Sequence, residues 1–293
     1  MDLRGVFPPI PTPFDQDQLN LVALRANIER WMSTSVAGLV VLGSSGEAPL
    51  LDEHEAGAMI SAARTSVPSD RLLIVGTGRE STRATVAATC QAADFGADAV
   101  LVRTPSYFKP QMTTRVLTRH FEVVADASPV PVLLYNFTAL TGVTLEPAAV
   151  AALAKHDNIV GMKESGQDIG RISKLVDQTP KNFNLLVGSA QTFFASLCVG
   201  AIGGILALAC VAPDLCVQLY TLVQEQRLNE ARALQAKLAP LAHSVTATYG
   251  VPGLKAALDL LGYEGGGPRP PLESVPPAAV EHLRLQLDQL RER

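Results

Sequence analysis

Eight times along the chain, a short apolar run bounded by polar residues is followed by a stretch of helical periodicity. The alternation ends near Pro213. The runs are Gly5–Ile10, Gly38–Leu42, Arg71–Gly76, Asp98–Val102, Val130–Tyr135, Asn158–Ser165, Asn184–Val187 and Gly203–Ala207. Continuous apolar runs of this length read as parallel strands buried on both faces. Between them the pattern predicts helices over Leu19–Met32, from Asp52 to about Thr65, from Ser81 to about Phe95, and over Thr113–Ala127. Further helices enter through Glu146-Pro147 and span Ile169–Gln178 and Gln191–Val199. Asp52 with Glu55 three residues on has the form of a capping box. Eight strand-helix units fit a closed α/β TIM barrel, (β/α)8, with a doubly wound open sheet as the alternative. Past Pro213 the strand signal stops, and Leu215–Val223, Asn229–Ala242, Tyr249–Leu261 and Ala278–Leu290 read as helices. The expected division is a barrel over 1–222 and a C-terminal helical appendage over 223–293. Gly265-Gly266-Gly267-Pro268 with Pro270-Pro271 reads as a tether before the last helix.

Composition removes several function classes. A chain of 293 residues that is 47% hydrophobic and 18% charged supports a large core. Net charge −4 leaves no basic footprint for nucleic acid. No charge falls between Asn182 and Pro213, but glycines, serines, threonines, asparagine and glutamine interrupt that run, so no membrane span is expected. Cys90, Cys198, Cys210 and Cys216 show no metal-ligand spacing and read as core thiols of a reducing compartment. With no apolar leader after Met1, the expectation is a cytoplasmic protein whose partners are small molecules or copies of itself.

The chemistry collects at strand ends, because in such a barrel the loops after the strand C-termini converge on one pocket. Lys163 ends the sixth run. An ammonium enters an apolar site only at a desolvation cost, which favours the free amine as a nucleophile toward a carbonyl; the bland alternative is a lysine snorkelling into solvent. Tyr135 ends the fifth run, where a phenol either passes a proton or anchors the rim. In Gly43-Ser44-Ser45-Gly46-Glu47, backbone N–H groups and hydroxyls form a candidate carboxylate cradle, or an ordinary turn. Tyr107 sits on a proline-containing loop, as surface aromatics commonly do. Glu47 and Glu164 read either as acid-base groups or as rim ion pairs. His54, His120, His156, His243 and His282 read as structural or solvated.

Taken together, Gly43-Ser44-Ser45-Gly46-Glu47, Thr104-Pro105-Ser106-Tyr107, Leu134-Tyr135-Asn136, Gly161-Met162-Lys163-Glu164-Ser165 and Gly188-Ser189 resemble the dihydrodipicolinate synthase/N-acetylneuraminate lyase family, in order and position over essentially the whole chain. The resemblance implies a class I, metal-free and cofactor-free aldolase or lyase, in which a lysine forms an imine with pyruvate or another 2-keto acid. It also implies a homotetramer built as a dimer of dimers. It makes Lys163 the imine former, Tyr135 the acid-base phenol, Ser44 the relay hydroxyl, and Tyr107 the tyrosine that enters a neighbouring subunit. Ser45, in the loop with Gly46, becomes the carboxylate binder, and Gly188 and Ile205 line the pyruvate end.

Within the family, condensation with aspartate semialdehyde uses an arginine shortly after the tyrosine, and Leu140 stands there instead. Gly161–Gly166, Gly200–Gly204 and Tyr249–Lys255 look like 4-hydroxy-2-oxoglutarate aldolase, in which Ser165 would hold the distal carboxylate, although Ser45 replaces that enzyme's asparagine. The expectation is cleavage of 4-hydroxy-2-oxoglutarate to pyruvate and glyoxylate. The synthase, a 2-keto-3-deoxy sugar acid aldolase or dehydratase, and a non-catalytic 2-keto-acid-binding module are the alternatives.

Overall fold

The structure is a computed structural model describing residues 1–291. Eight parallel strands form one sheet: β1 (Gly5–Phe7), β2 (Gly38–Val41), β3 (Leu72–Gly76), β4 (Ala99–Arg103), β5 (Val132–Asn136), β6 (Ile159–Glu164), β7 (Asn184–Val187) and β8 (Gly203–Ile205). From β2 to β8 each pairs with the next, and β8 pairs with β1. The ring closes between β1 and β2 through Ala37 N–H to Val6 O at 2.9 Å, Val40 N–H to Pro8 O at 3.0 Å and Ile10 N–H to Val40 O at 2.9 Å. This is the TIM barrel, and the open-sheet alternative is excluded by that closure.

The barrel helices are α1 (Leu21–Met32), α2 (Glu53–Ser66), α3 (Thr82–Asp94), α4 (Thr114–Ala127), α5 (Pro147–Leu153), α6 (Ile169–Gln178), α7 (Phe193–Cys198) and α8 (Pro213–Gln224). Their starts are written in short polar side chains. Asn20, Ser81, Thr113 and Asp168 each accept a backbone N–H of the first turn, and Asp52 with Glu55 forms the expected reciprocal capping box. Period-two alternation divides the apolar residues. Val40, Ile74, Leu101, Leu133, Tyr135, Leu186 and Ile205 pack inside the barrel, while neighbours such as Leu39, Val41, Leu134 and Val187 pack outward against the helices.

The structure departs from the sequence reading in three places. The first helix starts at Leu21 rather than Leu19, because Gln18–Leu19 pairs with Phe14–Asp15 in a hairpin whose turn residues, Gln16 and Asp17, both take positive φ. Cys210 and Cys216 are buried, with thiols pushed up by desolvation, but Cys198 is exposed and is no core thiol. The segment 265–271 is not a tether. Asn27 exchanges hydrogen bonds with the backbone of Glu264, Gly265 N–H donates to Asp259, and the Arg269 guanidinium binds Asp17 and Glu55. It lies between α10 (Gly250–Leu260) and α11 (Pro277–Arg291), which follow α9 (Leu228–His243) and a π turn over Ser244–Thr248. The eighth barrel helix ends at Gln224. No helix among the described residues is long and apolar enough to cross a membrane.

Candidate active site

Tyr135 and Lys163 face each other in register on adjacent strands β5 and β6. Side chains at register partners on parallel strands point to the same face, here the barrel interior, and both are almost fully buried, at 4% and 5% exposure. The Lys163 ammonium donates to Tyr135 Oη at 3.4 Å and lies 4.4 Å from the centre of its ring. Tyr135 Oη in turn lies 3.2 Å from Ser44 Oγ. Amine, phenol and serine hydroxyl thus form one continuous hydrogen-bonded line at the C-terminal mouth of the barrel. Among the described residues no carboxylate pairs with Lys163. Burying a lysine head group without a counter-charge costs stability.

The β2 loop that supplies Ser44 is strained and tightly wound. Leu42 and Glu47, on either side of it, both have φ of +55°, a region that costs non-glycine residues energy and is met at functional sites. Inside the loop Gly46 and Glu47 donate to Gly43 O and Ser44 O, each at 3.1 Å. Among the described residues the N–H groups of Ser44 and Ser45 find no acceptor, the arrangement an anion cradle requires. Across the pocket, a Cβ on Gly188 would stand 2.0 Å from Ser165 Oγ and 3.0 Å from Lys163 Cε. Only glycine lets the β7 end approach the lysine so closely. Ile205 is fully buried on the inner face.

Two sequence candidates resolve to ion pairs. Glu164 is 1% exposed and accepts from Asn136 Nδ2, Gly166 N–H at 2.7 Å and Arg171 Nε at 2.9 Å. It fastens the ends of β5 and β6 and is not free for proton transfer. Glu47 lies 2.6 Å from Lys255 Nζ and accepts Arg269 N–H at 2.8 Å. Lys255 also donates to Gly267 O at 2.8 Å, and Thr12 Oγ1 donates to Gly46 O at 2.6 Å. The C-terminal segment therefore pins the carboxylate loop from outside. Sequence reasoning missed Lys255 and Arg269, although a lysine within the otherwise apolar Leu254–Leu258 was a usable signal.

Both members of the Lys255–Glu47 pair are 1% exposed, and desolvation holds the lysine below its ordinary range despite the carboxylate. Lys255→Met leaves Glu47 buried and uncompensated, so the folded state is expected to lose about 3–5 kcal/mol, measured as a lower urea midpoint. The paired variant Lys255→Met with Glu47→Gln is expected to recover most of that loss.

Tyr107 is the sequence candidate that this chain does not bring to the cluster. It is 79% exposed, its ring stands edge-to-face with Phe108, and it makes no hydrogen bond to Ser44 or Tyr135. The histidines stay outside the site; burial holds His120 to about 4, and it exchanges a hydrogen bond with Thr82.

A buried amine in line with a phenol and a hydroxyl at the mouth of such a barrel can form an imine with a carbonyl compound and move protons around it. The chain belongs to the dihydrodipicolinate synthetase family, whose model it matches over residues 2–290. It is 35% identical over 292 residues to the 4-hydroxy-tetrahydrodipicolinate synthase of Methanopyrus kandleri, covering 98% of this chain and 96% of the relative. It is also 35% identical over 288 residues to the "Probable 4-hydroxy-2-oxoglutarate aldolase, mitochondrial" of Emericella nidulans, covering 96% and 92%. The crystal structure of dihydrodipicolinate synthase from Thermotoga maritima superimposes with a TM-score of 0.94 at 32% identity, covering 98% of each chain.

Proposed function

We propose that the protein cleaves 4-hydroxy-2-oxoglutarate to pyruvate and glyoxylate through an imine on Lys163. The Lys163 amine adds to the C2 carbonyl, and Tyr135 gives its proton to the departing water, which leaves a protonated imine and a phenolate. Tyr135 Oη takes the proton of the C4 hydroxyl, the C3–C4 bond breaks, and its electron pair flows toward the iminium nitrogen, leaving an enamine and free glyoxylate. The same phenol returns the proton to C3, and hydrolysis releases pyruvate and the amine. Ser44 carries protons between Tyr135 and the Tyr107 of a neighbouring copy. The substrate's C1 carboxylate sits on the Ser44 and Ser45 N–H groups beside Gly46, Gly188 and Ile205 line the pyruvate end, and Ser165 holds the distal carboxylate. No metal or organic cofactor takes part. The exposed Tyr107, Phe108 and Leu140 suit burial between copies, in a homotetramer built as a dimer of dimers.

Leu140 carries the choice of substrate. At 64% exposure it offers an aliphatic surface where condensation with aspartate semialdehyde calls for a guanidinium. One observation favours the synthase as second reading. Lys109 reaches across from the β4 loop, and a Cβ on Gly142, in the loop after Tyr135, would stand 3.1 Å from its Nζ. That ammonium, with no carboxylate partner among the described residues, is available to a second carboxylate. A substrate panel separates the two readings. Retro-aldol cleavage of 4-hydroxy-2-oxoglutarate is expected to exceed condensation with aspartate semialdehyde by at least about tenfold in kcat/KM, and Lys109→Met to leave cleavage unchanged. Efficient condensation that falls about tenfold or more in Lys109→Met would establish the second reading instead.

A further inference from the structure

The loop that carries Tyr107 is held by one side chain from a different strand. Glu80, in the loop after β3, accepts the backbone N–H groups of Ser106 and Tyr107 on the same oxygen, each at 2.8 Å. Its second oxygen accepts Arg103 Nη1 at 2.8 Å and meets Ser106 Oγ at 3.4 Å. Arg103 is the last residue of β4, so the clamp ties the loop back to the strand from which it springs.

Glu80 itself stands on fixed ground. Thr77 donates its N–H to Leu101 O at 3.1 Å and shares a hydroxyl hydrogen bond with Thr89. Arg79 N–H donates to Thr85 Oγ1, and the Arg79 guanidinium grips Glu53 through two bonds of 2.9 and 3.1 Å. Partial burial raises the Glu80 carboxyl, but the two backbone N–H groups and Arg103 outweigh it and hold the group below its usual range, so it is an anion when it clamps. Bonds from N–H to an ionised carboxylate are among the stronger ones available.

Tyr107 needs such a fixture. With its ring in solvent apart from the edge of Phe108, packing within the subunit does not aim it, and only the backbone can. We propose that Glu80 is a positioning residue that presents the Tyr107 hydroxyl to the Ser44–Tyr135 line of a second copy of this chain. The proposal rests on the reading of Tyr107 as the outer member of the proton relay. Glu80 touches no substrate; it acts through Tyr107 alone.

The test is a double-mutant cycle with Glu80→Ala, Tyr107→Phe and both together. Retro-aldol kcat and KM, borohydride trapping of pyruvate, thermal midpoint and sedimentation are read on each. Glu80→Ala is expected to lower kcat roughly tenfold, with KM, trapping, midpoint and oligomer unchanged. Added to Tyr107→Phe it is expected to cost nothing further, because the hydroxyl it aims is already gone. Glu80→Gln keeps an oxygen for both N–H groups and is expected to recover most of the lost rate. A fully active Glu80→Ala, a loss that multiplies with that of Tyr107→Phe, or a loss that follows dissociation of the oligomer overturns the proposal while leaving the imine chemistry standing. A wild-type chain that traps no pyruvate removes the functional reading and this proposal together.

Discussion

Lys163→Ala is expected to abolish turnover and leave the barrel folded. The expected loss in kcat is on the order of 10⁴-fold or more, the scale met when a covalent nucleophile is removed, because among the described residues no second amine stands in line with Tyr135. Lys255, the other buried lysine, is committed to Glu47 and Gly267 O. Folding is expected to survive because Lys163 contributes no ion pair, and the phenol it abandons keeps Ser44 as partner. Steady-state kinetics with circular dichroism on the purified variant checks both halves. Retention of more than a trace of activity in a folded variant would return Lys163 to the role of a rim lysine.

Tyr135→Phe is the second large effect. The hydroxyl lies 3.4 Å from the amine and 3.2 Å from Ser44, so its removal breaks the hydrogen-bonded line in the middle and leaves both ends intact. A shuttle in this position contributes about 10²–10⁴-fold. The loss is expected in kcat, with KM for the 2-keto acid nearly unchanged, since the ring still packs beside Leu133 and Leu186 on the inner face. The split matters more than the size. An unchanged kcat would make the phenol an anchor of the rim, whereas a rise in KM alone would make it a binding group.

The barrel was legible because parallel strands buried on both faces leave continuous apolar runs, and because helix starts are carried by local side chains such as Asp52, Ser81 and Asp168. The hairpin at Phe14–Leu19 escaped because its turn uses Gln16 and Asp17 at positive φ, without the glycine that normally announces such a turn. Strand ends pointed to Lys163, Tyr135 and the Gly43–Glu47 loop, the family resemblance singled out Ser44 within that loop, and the structure brings the three side chains into contact. What the sequence could not supply is which donors the carboxylates find across the fold. Glu47 meets Arg269 N–H across 222 positions, and Glu80 meets Tyr107 N–H across 27. Neither pairing has a periodic or local signature, and each exists only once the barrel has closed. The glycine- and proline-rich segment after Glu264 misled for the same reason, because composition reports backbone freedom but not the carboxylates of Asp17 and Glu55 that wait for Arg269.

The central claim is that the side-chain nitrogen of Lys163 becomes covalently joined to a 2-keto acid. Incubation with pyruvate and borohydride, followed by peptide mass mapping, tests it at the atom concerned, whatever the physiological aldehyde. The account predicts a single reduced adduct carrying the pyruvate skeleton on the peptide that contains Lys163, absent without pyruvate and absent in Lys163→Ala. An unmodified Lys163 after full treatment, or an adduct spread over exposed lysines such as Lys109, would contradict it.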